Sequence, residues 1–583
     1  MKFKIQYIIP LILLMNIQSI FSQKKDENIG TEVVNVVKPY TPTISDAFKI
    51  KDTPSLYDDE TTQKEIIKYK IFEFPVASTF TPSKGKAAGV DKEKSEELYK
   101  NFITGGIGNY FTPLVELYVT ENLGYNDYVA GRFNYLSSLG GIKDIPVNDG
   151  YLKSSLDITY GSKQSDFSWK ADLGYQIQKY HWYGFPAGFS SDYTPGELNT
   201  IYDEVDNPQT YNNFYLGGKI KFNEGFFTGS DLIYDHFWDA FNVAENRFVA
   251  TPSLQFDLDH QAIKTDIVVD YVGGTFDNYY AANTPTNYGF ANFGITPSFA
   301  MQEADWSFDI GATILYSLDT ENSNNKFYIY PQINASYKVV GDLMIFYTGV
   351  VGGLEQNSYR NFSNQNPFIS PTLFITPTDK QYDFFAGLKG KVANSVSYNV
   401  KGYYSSEKNG AMFKSNNYDI NAANPEFAFG NSFGVVYDDI KTLGFYSELK
   451  GDFSKNFSFG INGTFNSYTT GTQEEAWNLP ELQFGANLDA KITPKWNAGI
   501  DLFFVGERKD MQVNTDILYP VAPSPITLDS YFDLNAHVVY KYNERISGFL
   551  RLNNITNQGY QKWLNYPVQS FQIMLGGNYK FDF

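Results

Sequence analysis

The sequence predicts an all-β chain folded as a transmembrane antiparallel β-barrel of about 22 strands. Three observations carry that expectation. Segments of about ten residues alternate between apolar and polar side chains. The connections between them sort into short and long. Beyond residue 22, no apolar run reaches the roughly 20 residues that a membrane-spanning helix needs.

Taken from the N-terminus, Met1-Lys2-Phe3-Lys4 is a short basic region, followed by the apolar run Ile5 to Ile17 and the small residues around Ser19 and Ser22. That is the pattern of a secretory signal over residues 1–22. No Cys follows it, which excludes a lipid-anchored lipoprotein. Residues 23–65 read as an extended periplasmic or lumenal segment carrying Pro39, Pro42 and Pro54. The barrel is expected over 66–583, with Ile71 to Phe80 as its first strand despite Pro75. The basic stretch Lys84 to Lys100 is balanced by Asp91, Glu93, Glu96 and Glu97, and reads as a short amphipathic helix in a first outer loop.

The strands themselves are clearest at Leu482, Phe484, Ala486, Leu488, Ala490 and Ile492, which share one face, with Gln483, Gly485, Asn487, Asp489 and Lys491 on the other. Side chains alternate faces along a strand, so one side is apolar and the other polar. The pattern recurs from Phe167 to Ile177 and from Trp306 to Tyr316. Strands of a soluble sandwich are about 5 to 6 residues long. Ten-residue strands with Phe, Tyr and Leu outward and Gln, Asn and Asp inward match a membrane barrel with a wet lumen. Alternating segments from Phe102 to Phe583 number 21, with Ile103 to Thr120 read as one; Ile71 to Phe80 completes an even 22.

Short turns fall at 161–165, 223–225, 259–261, 302–305, 340–342, 392–395, 454–456, 493–495 and 543–545, and long polar connections at 180–208, 357–378, 405–431, 507–527 and 557–566. Short turns on one rim and long loops on the other are the periplasmic and extracellular sides of an outer-membrane barrel. Trp169, Trp306 and Trp496 follow short turns, whereas Trp182, Trp238, Trp477 and Trp563 stand near long loops. Two interfacial belts are the expected reading.

The C-terminal run Phe571, Ile573, Leu575, Gly577, Tyr579, Phe581, Phe583 ends the chain on an aromatic. It resembles the terminal strand recognised by barrel-assembly machinery, and its free edge must pair with the first strand. With the signal and the strand count, this chain resembles the TonB-dependent receptors of Gram-negative outer membranes, and its Tyr, Asn and Phe-rich style is similar to members from Bacteroidota. The resemblance covers Ile71 to Phe583. Such receptors carry a folded plug of well over a hundred residues before the barrel, whereas Gln23 to Glu65 leaves 43. Within that segment Glu32, Val33, Val34, Asn35, Val36 and Val37 are similar to a TonB box. The resemblance implies that they pair as an added strand with a periplasmic coupler.

Other chemistry is sparse. Zero Cys removes thiol nucleophiles, Cys-ligated zinc and iron–sulfur clusters, and His181, His236, His260 and His537 show no metal-ligand spacing. Asp58-Asp59 and Asp438-Asp439 read as solvated charges, and the Asp319 to Asn325 run lacks the Gly and Glu of a calcium loop. A net charge of -19 argues against nucleic acid as a partner. No cofactor and no enzymatic activity are expected. The partners are membrane lipid, the assembly machinery, and a TonB-type coupler or another outer-membrane protein. The function expected is solute uptake or transport; the alternative is a scaffold barrel in a secretion or assembly complex.

Overall fold

The computed structural model describes residues 99–583 apart from 259–260, 281–283, 394, 420–424 and 513–521. The signal, the Glu32 to Val37 segment, the Ile71 to Phe80 strand and all of the Lys84 to Lys100 stretch but its last two residues lie outside the described residues, as does His260.

The wall runs in chain order through β1 (Asn101–Gly108), β2 (Thr112–Asn122), β3 (Asp127–Ser138), β4 (Tyr151–Lys163), β5 (Phe167–Tyr180), β6 (Gln209–Phe222), β7 (Phe227–Trp238), β8 (Ala244–Leu258), β9 (Gln261–Phe276) and β10 (Thr286–Gln302). It continues with β11 (Trp306–Asp319), β12 (Lys326–Val340), β13 (Met344–Glu355), β14 (Thr378–Ala393), β15 (Val396–Ser415), β16 (Phe433–Ser454), β17 (Phe457–Thr470), β18 (Leu482–Lys491) and β19 (Trp496–Val505). Two small hairpins, β20 (Arg508–Gln512) with β21 (Ser524–Leu528) and β24 (Gln561–Trp563) with β25 (Tyr566–Pro567), stand apart from it. The wall is completed by β22 (Tyr531–Lys541), β23 (Ile546–Asn553) and β26 (Gln572–Phe581), making one 22-stranded antiparallel sheet.

The ring closes where β1 meets β26, from Asn101 opposite Phe581 to Gly108 opposite Met574. Closure leaves no free edge, the condition for a sheet in hydrocarbon. The expected count therefore stands, but its first member changes. The Ile103 to Thr120 segment is two strands, split at residues 109–111, where Tyr110 and Phe111 have positive φ of 56° and 46°. Aromatic residues rarely take that conformation, so Tyr110 and Phe111 mask the turn that Gly108 and Asn109 open. Because β1 already pairs with β2 on its other side, the ring has no place for a strand at Ile71 to Phe80. Lys100 stands at the inner rim, its amide donating to Asp582 Oδ1 at 2.8 Å, so the chain enters β1 from that rim and not from an outer loop.

Inner connections are two to four residues long and include each short turn the sequence announces, plus 123–126. The outer ones reach 28 residues at 181–208. One is shorter than expected: β15 and β16 extend outward, leaving only 416–432 between them. The register stacks Phe459, Leu488 and Ile500 across β17, β18 and β19. All three point outward, and Leu488 and Ile500 are exposed, forming part of the apolar band. Inside, large rings lie flat on small neighbours: a Cβ on Gly174 would stand 2.1 Å from the Tyr215 ring, whose hydroxyl donates to Asp157 at 2.6 Å.

Candidate functional site: the loop-filled outer mouth

Polar residues line most of the lumen, where Lys219–Asp231, Arg247–Asp270 and Lys264–Asp266 pair at 2.7 to 3.0 Å. Near the outer ends of the strands this changes. Tyr211 on β6, Phe237 on β7, Val272 and Phe276 on β9, and Tyr288 and Phe290 on β10 are buried together. Their partners come from the 356–377 loop, which contributes Tyr359, Phe362, Ile369, Leu373 and Ile375 to the same core. Loops are thus folded into the mouth of the barrel.

The loop begins with a short helix, α1 (Tyr359–Gln365), whose start is set by Ser358: its hydroxyl accepts the Asn361 N–H at 3.1 Å, an N-cap bond. Tyr359 and Phe362, one turn apart, then face the core together. Two carboxylates hold this helix to the wall. Asp239, in the β7–β8 connection, accepts the Tyr359 hydroxyl and the Gln209 amide on Oδ2 at 2.8 Å each, and the Phe241 and Val243 amides on Oδ1 at 2.9 Å each. Glu245 accepts the Tyr359 N–H at 2.7 Å and the Tyr288 hydroxyl. Arg360 pairs with Asp235 at 2.9 Å. Burial pushes the Asp239 carboxyl up to about 6, and its four donors limit the rise.

On the far side the same loop is tied to β16. Ser370 N–H donates to Phe433 O at 2.9 Å, Phe433 N–H to Phe368 O at 3.1 Å, and the Tyr437 hydroxyl to Phe374 O at 3.0 Å. Nine strand steps separate β7 from β16 in a ring of 22, so the loop crosses the lumen. Phe368 stacks on Tyr566 of the β24–β25 hairpin with centroids 3.8 Å apart, and Tyr566 donates its hydroxyl to Asn431 O. Asp510 performs a comparable task on the opposite flank, accepting Ser415 N–H, Asn478 Nδ2 and its own neighbour's amide. Burial raises its carboxyl pKa as well.

The tryptophans divide accordingly. Trp169, Trp306 and Trp496 lie at the inner end of outward-facing rows, and Trp238 faces outward near the outer rim, its ring 6.1 Å from Tyr175. Trp182 and Trp477 are each 1% exposed inside the loops, and Trp563 packs on Phe413 and Phe433, so these three are core residues and not belt residues. Position near a loop fixes height along the barrel, not the direction in which a side chain points. At the inner rim Tyr579 stacks on Phe581, and Phe583 meets Phe581 edge-on. His181, His236 and His537 do not converge, and among the described residues no three His, Asp or Glu side chains could hold a metal ion. Asp319 accepts the Glu321 and Asn322 amides of its own turn.

The sequence reading missed the lock of Asp239, Glu245 and Tyr359. A signal was present: lumen-facing positions turn apolar at the outer ends of β6, β7, β9 and β10, which only packed loops can cover.

No protein-family model matches the sequence, and no curated protein matches it. Solved structures do. The ferripyoverdine receptor of the outer membrane of Pseudomonas aeruginosa bound to ferripyoverdine aligns at TM-score 0.60 and 13% identity, over 84% of this chain and 73% of that one. The FrpB iron transporter from Neisseria meningitidis aligns at 0.61 and 11%, over 83% and 82%. The siderophore receptor PiuA from Acinetobacter baumannii aligns at 0.58 and 11%, over 82% of both. The fold is that of an outer-membrane receptor barrel. The resemblance to TonB-dependent receptors read from the sequence holds at the level of the fold, and the apolar outer band places the barrel in the outer membrane. These neighbours are receptors and transporters.

Proposed function

We propose that this chain is an outer-membrane receptor that takes up a solute too bulky to diffuse in, with its infolded loops as the gate. The observation that carries this reading is the contrast between the two ends of the lumen. A 22-strand ring encloses a space wide enough for an aqueous channel. Its outer mouth is filled by loops held through a few buried polar contacts, while the lumen below is lined by polar side chains and paired charges. A fixed scaffold has no use for that asymmetry; a port that must open for cargo does. Iron chelates, the cargo named for the neighbours, are the first class to test.

In this reading Glu32 to Val37 is the strand offered to a TonB-type coupler, and Tyr579, Phe581 and Phe583 are the row recognised during barrel assembly. The test is accumulation of radiolabelled ferric chelates and growth under iron limitation in cells lacking the chain, complemented with the full sequence or with Glu32 to Val37 deleted. Full-length complementation should restore uptake and the deletion should not, with equal protein in the membrane. Uptake restored equally by both would remove the coupling role. Accumulation unaffected by loss of the chain would remove iron chelates as cargo.

A further inference from the structure

The chain is acidic overall, yet three cations from three separate elements lie within electrostatic reach of one another by the outer hairpins, none of them paired with a carboxylate. Lys153 projects from β4 into the lumen, flanked by Gln178 on β5 and with its ammonium 5.8 Å from the Tyr180 ring. Lys562 is the middle residue of β24. Arg508 begins β20 and is 5% exposed; its Nη1 donates to Lys562 O and its Nη2 to Gln561 O, each at 2.8 Å, and its guanidinium lies 5.1 Å from the Tyr531 ring. These contacts fix the guanidinium's position and give it no carboxylate partner.

Two observations point to a missing anion. Arg508 Nε is buried and has no acceptor, and buried donors are otherwise almost always satisfied. Among the described residues, none of the three cations forms an ion pair with a carboxylate, whereas Lys170, Lys219, Lys264, Lys380 and Lys450 each do. The carboxylate of Asp510, which acts on Arg508 at longer range, is occupied by its own three donors. The Lys562 ammonium pKa is lowered by the surrounding protein and then by the charges of Lys153 and Arg508, as expected where like charges are gathered without relief. Lys153 and Lys562 remain open to the lumen, and can therefore be reached by a ligand.

We propose that Arg508, Lys562 and Lys153 frame a binding site for an oxyanion, a carboxylate or phosphate group, carried by the solute that the barrel admits. Two ammonium groups open to the lumen, backed by a buried guanidinium with a free Nε–H, suit such oxygens through charge-assisted bonds. The position, directly inside the loop-filled mouth, would hold cargo before it descends. This deepens the uptake reading by naming a chemical feature of the cargo, and rests on that reading for the word cargo alone.

The test is calorimetric titration of the purified full-length protein in neutral detergent with two probes, citrate and pyrophosphate, at 20 and about 200 mM salt. Binding of at least one probe is expected, weakening as salt rises. The double variant Lys153→Glu, Lys562→Glu should weaken it at least tenfold. Lys389→Glu with Lys401→Glu, on the opposite wall, should change it less than twofold while removing the same net charge. The preferred probe tells carboxylate from phosphate. Failure of both probes at low salt, or equal losses in the two double variants, would overturn the site. Uptake that fails while binding persists would remove the transport reading and leave the site standing.

Discussion

Replacing Tyr359 with Phe removes one hydroxyl and leaves the ring that fills the core. That hydroxyl donates to Asp239 Oδ2 at 2.8 Å in a setting where both groups are buried. A hydrogen bond to a charged group is worth about 1.5 to 3 kcal/mol. Asp239 keeps three of its four donors, so the loss should stay within that range and not reach the cost of an unpaired buried charge. At 1.4 kcal/mol per tenfold, the open state of the 356–377 loop should become about 10 to 150 times more populated. Hydrogen exchange at pH 7.5 reads this directly. The Phe362 and Asn366 amides, bonded within the helix and its cap, should exchange faster by that factor, while wall amides such as Leu488 should not change. Sensitivity to a large antibiotic should rise in parallel. Unchanged loop exchange, or equal acceleration of loop and wall, would show that the hydroxyl does not hold the gate.

Three further outcomes follow from the same contacts. The Asp239 carboxyl, raised from an ordinary 3.8 to about 6 by burial, binds protons more readily with the loop closed than open; closure should therefore be strongest below about pH 4, weaken by about 3 kcal/mol as pH rises to about 6, and level off above. Loop exchange corrected for its intrinsic pH dependence should show that slope, and Asp239→Asn should flatten it. Leu488→Arg, on the lipid face, should cost about 2 to 4 kcal/mol of barrel stability, with Asn487→Arg on the lumen face far milder; urea unfolding in lipid vesicles measures both, and equal costs would invert the faces. Because the chain has no Cys, Ser191→Cys in the outer 181–208 loop should label from outside intact cells and Lys495→Cys in an inner turn should not; outside labelling at 495 would reverse the rims.

The wall was legible because it obeys one rule throughout. A period of two with aromatics on one side survives in β5, β11 and β18, and short turns sort the rims even without knowledge of pairing. The rule fails where aromatic residues continue through a turn. Tyr110 and Phe111 make a turn in a conformation their side chains disfavour, so a single segment was expected where β1 and β2 stand. The loops were illegible for another reason. Trp182 and Trp238 sit at similar heights, yet one is enclosed by Phe241 and Phe427 while the other faces outward near Tyr175. Only tertiary contacts between segments far apart in the chain separate them. The Asp239, Glu245 and Tyr359 lock joins residues up to 120 positions apart, and no spacing motif announces it.

The two parts of the molecule also differ in how their stability is built, and the difference bears on gating. Each wall strand is bonded along both edges, and in the bilayer an unpaired backbone group has no water to turn to, so the wall has no cheap way to open. The mouth is held otherwise. Its apolar core has no ladder of backbone bonds to break, and its anchors to the β5–β8 wall are a handful of side-chain bonds through Asp239, Glu245, Asp235, Tyr211 and Gln178. A ligand bound beneath the hairpins touches the elements that also carry Tyr566 and its stack with Phe368. Displacing that stack would loosen the loop at its midpoint while leaving the wall intact. Opening can therefore be local, and the barrel need not deform to admit what it binds.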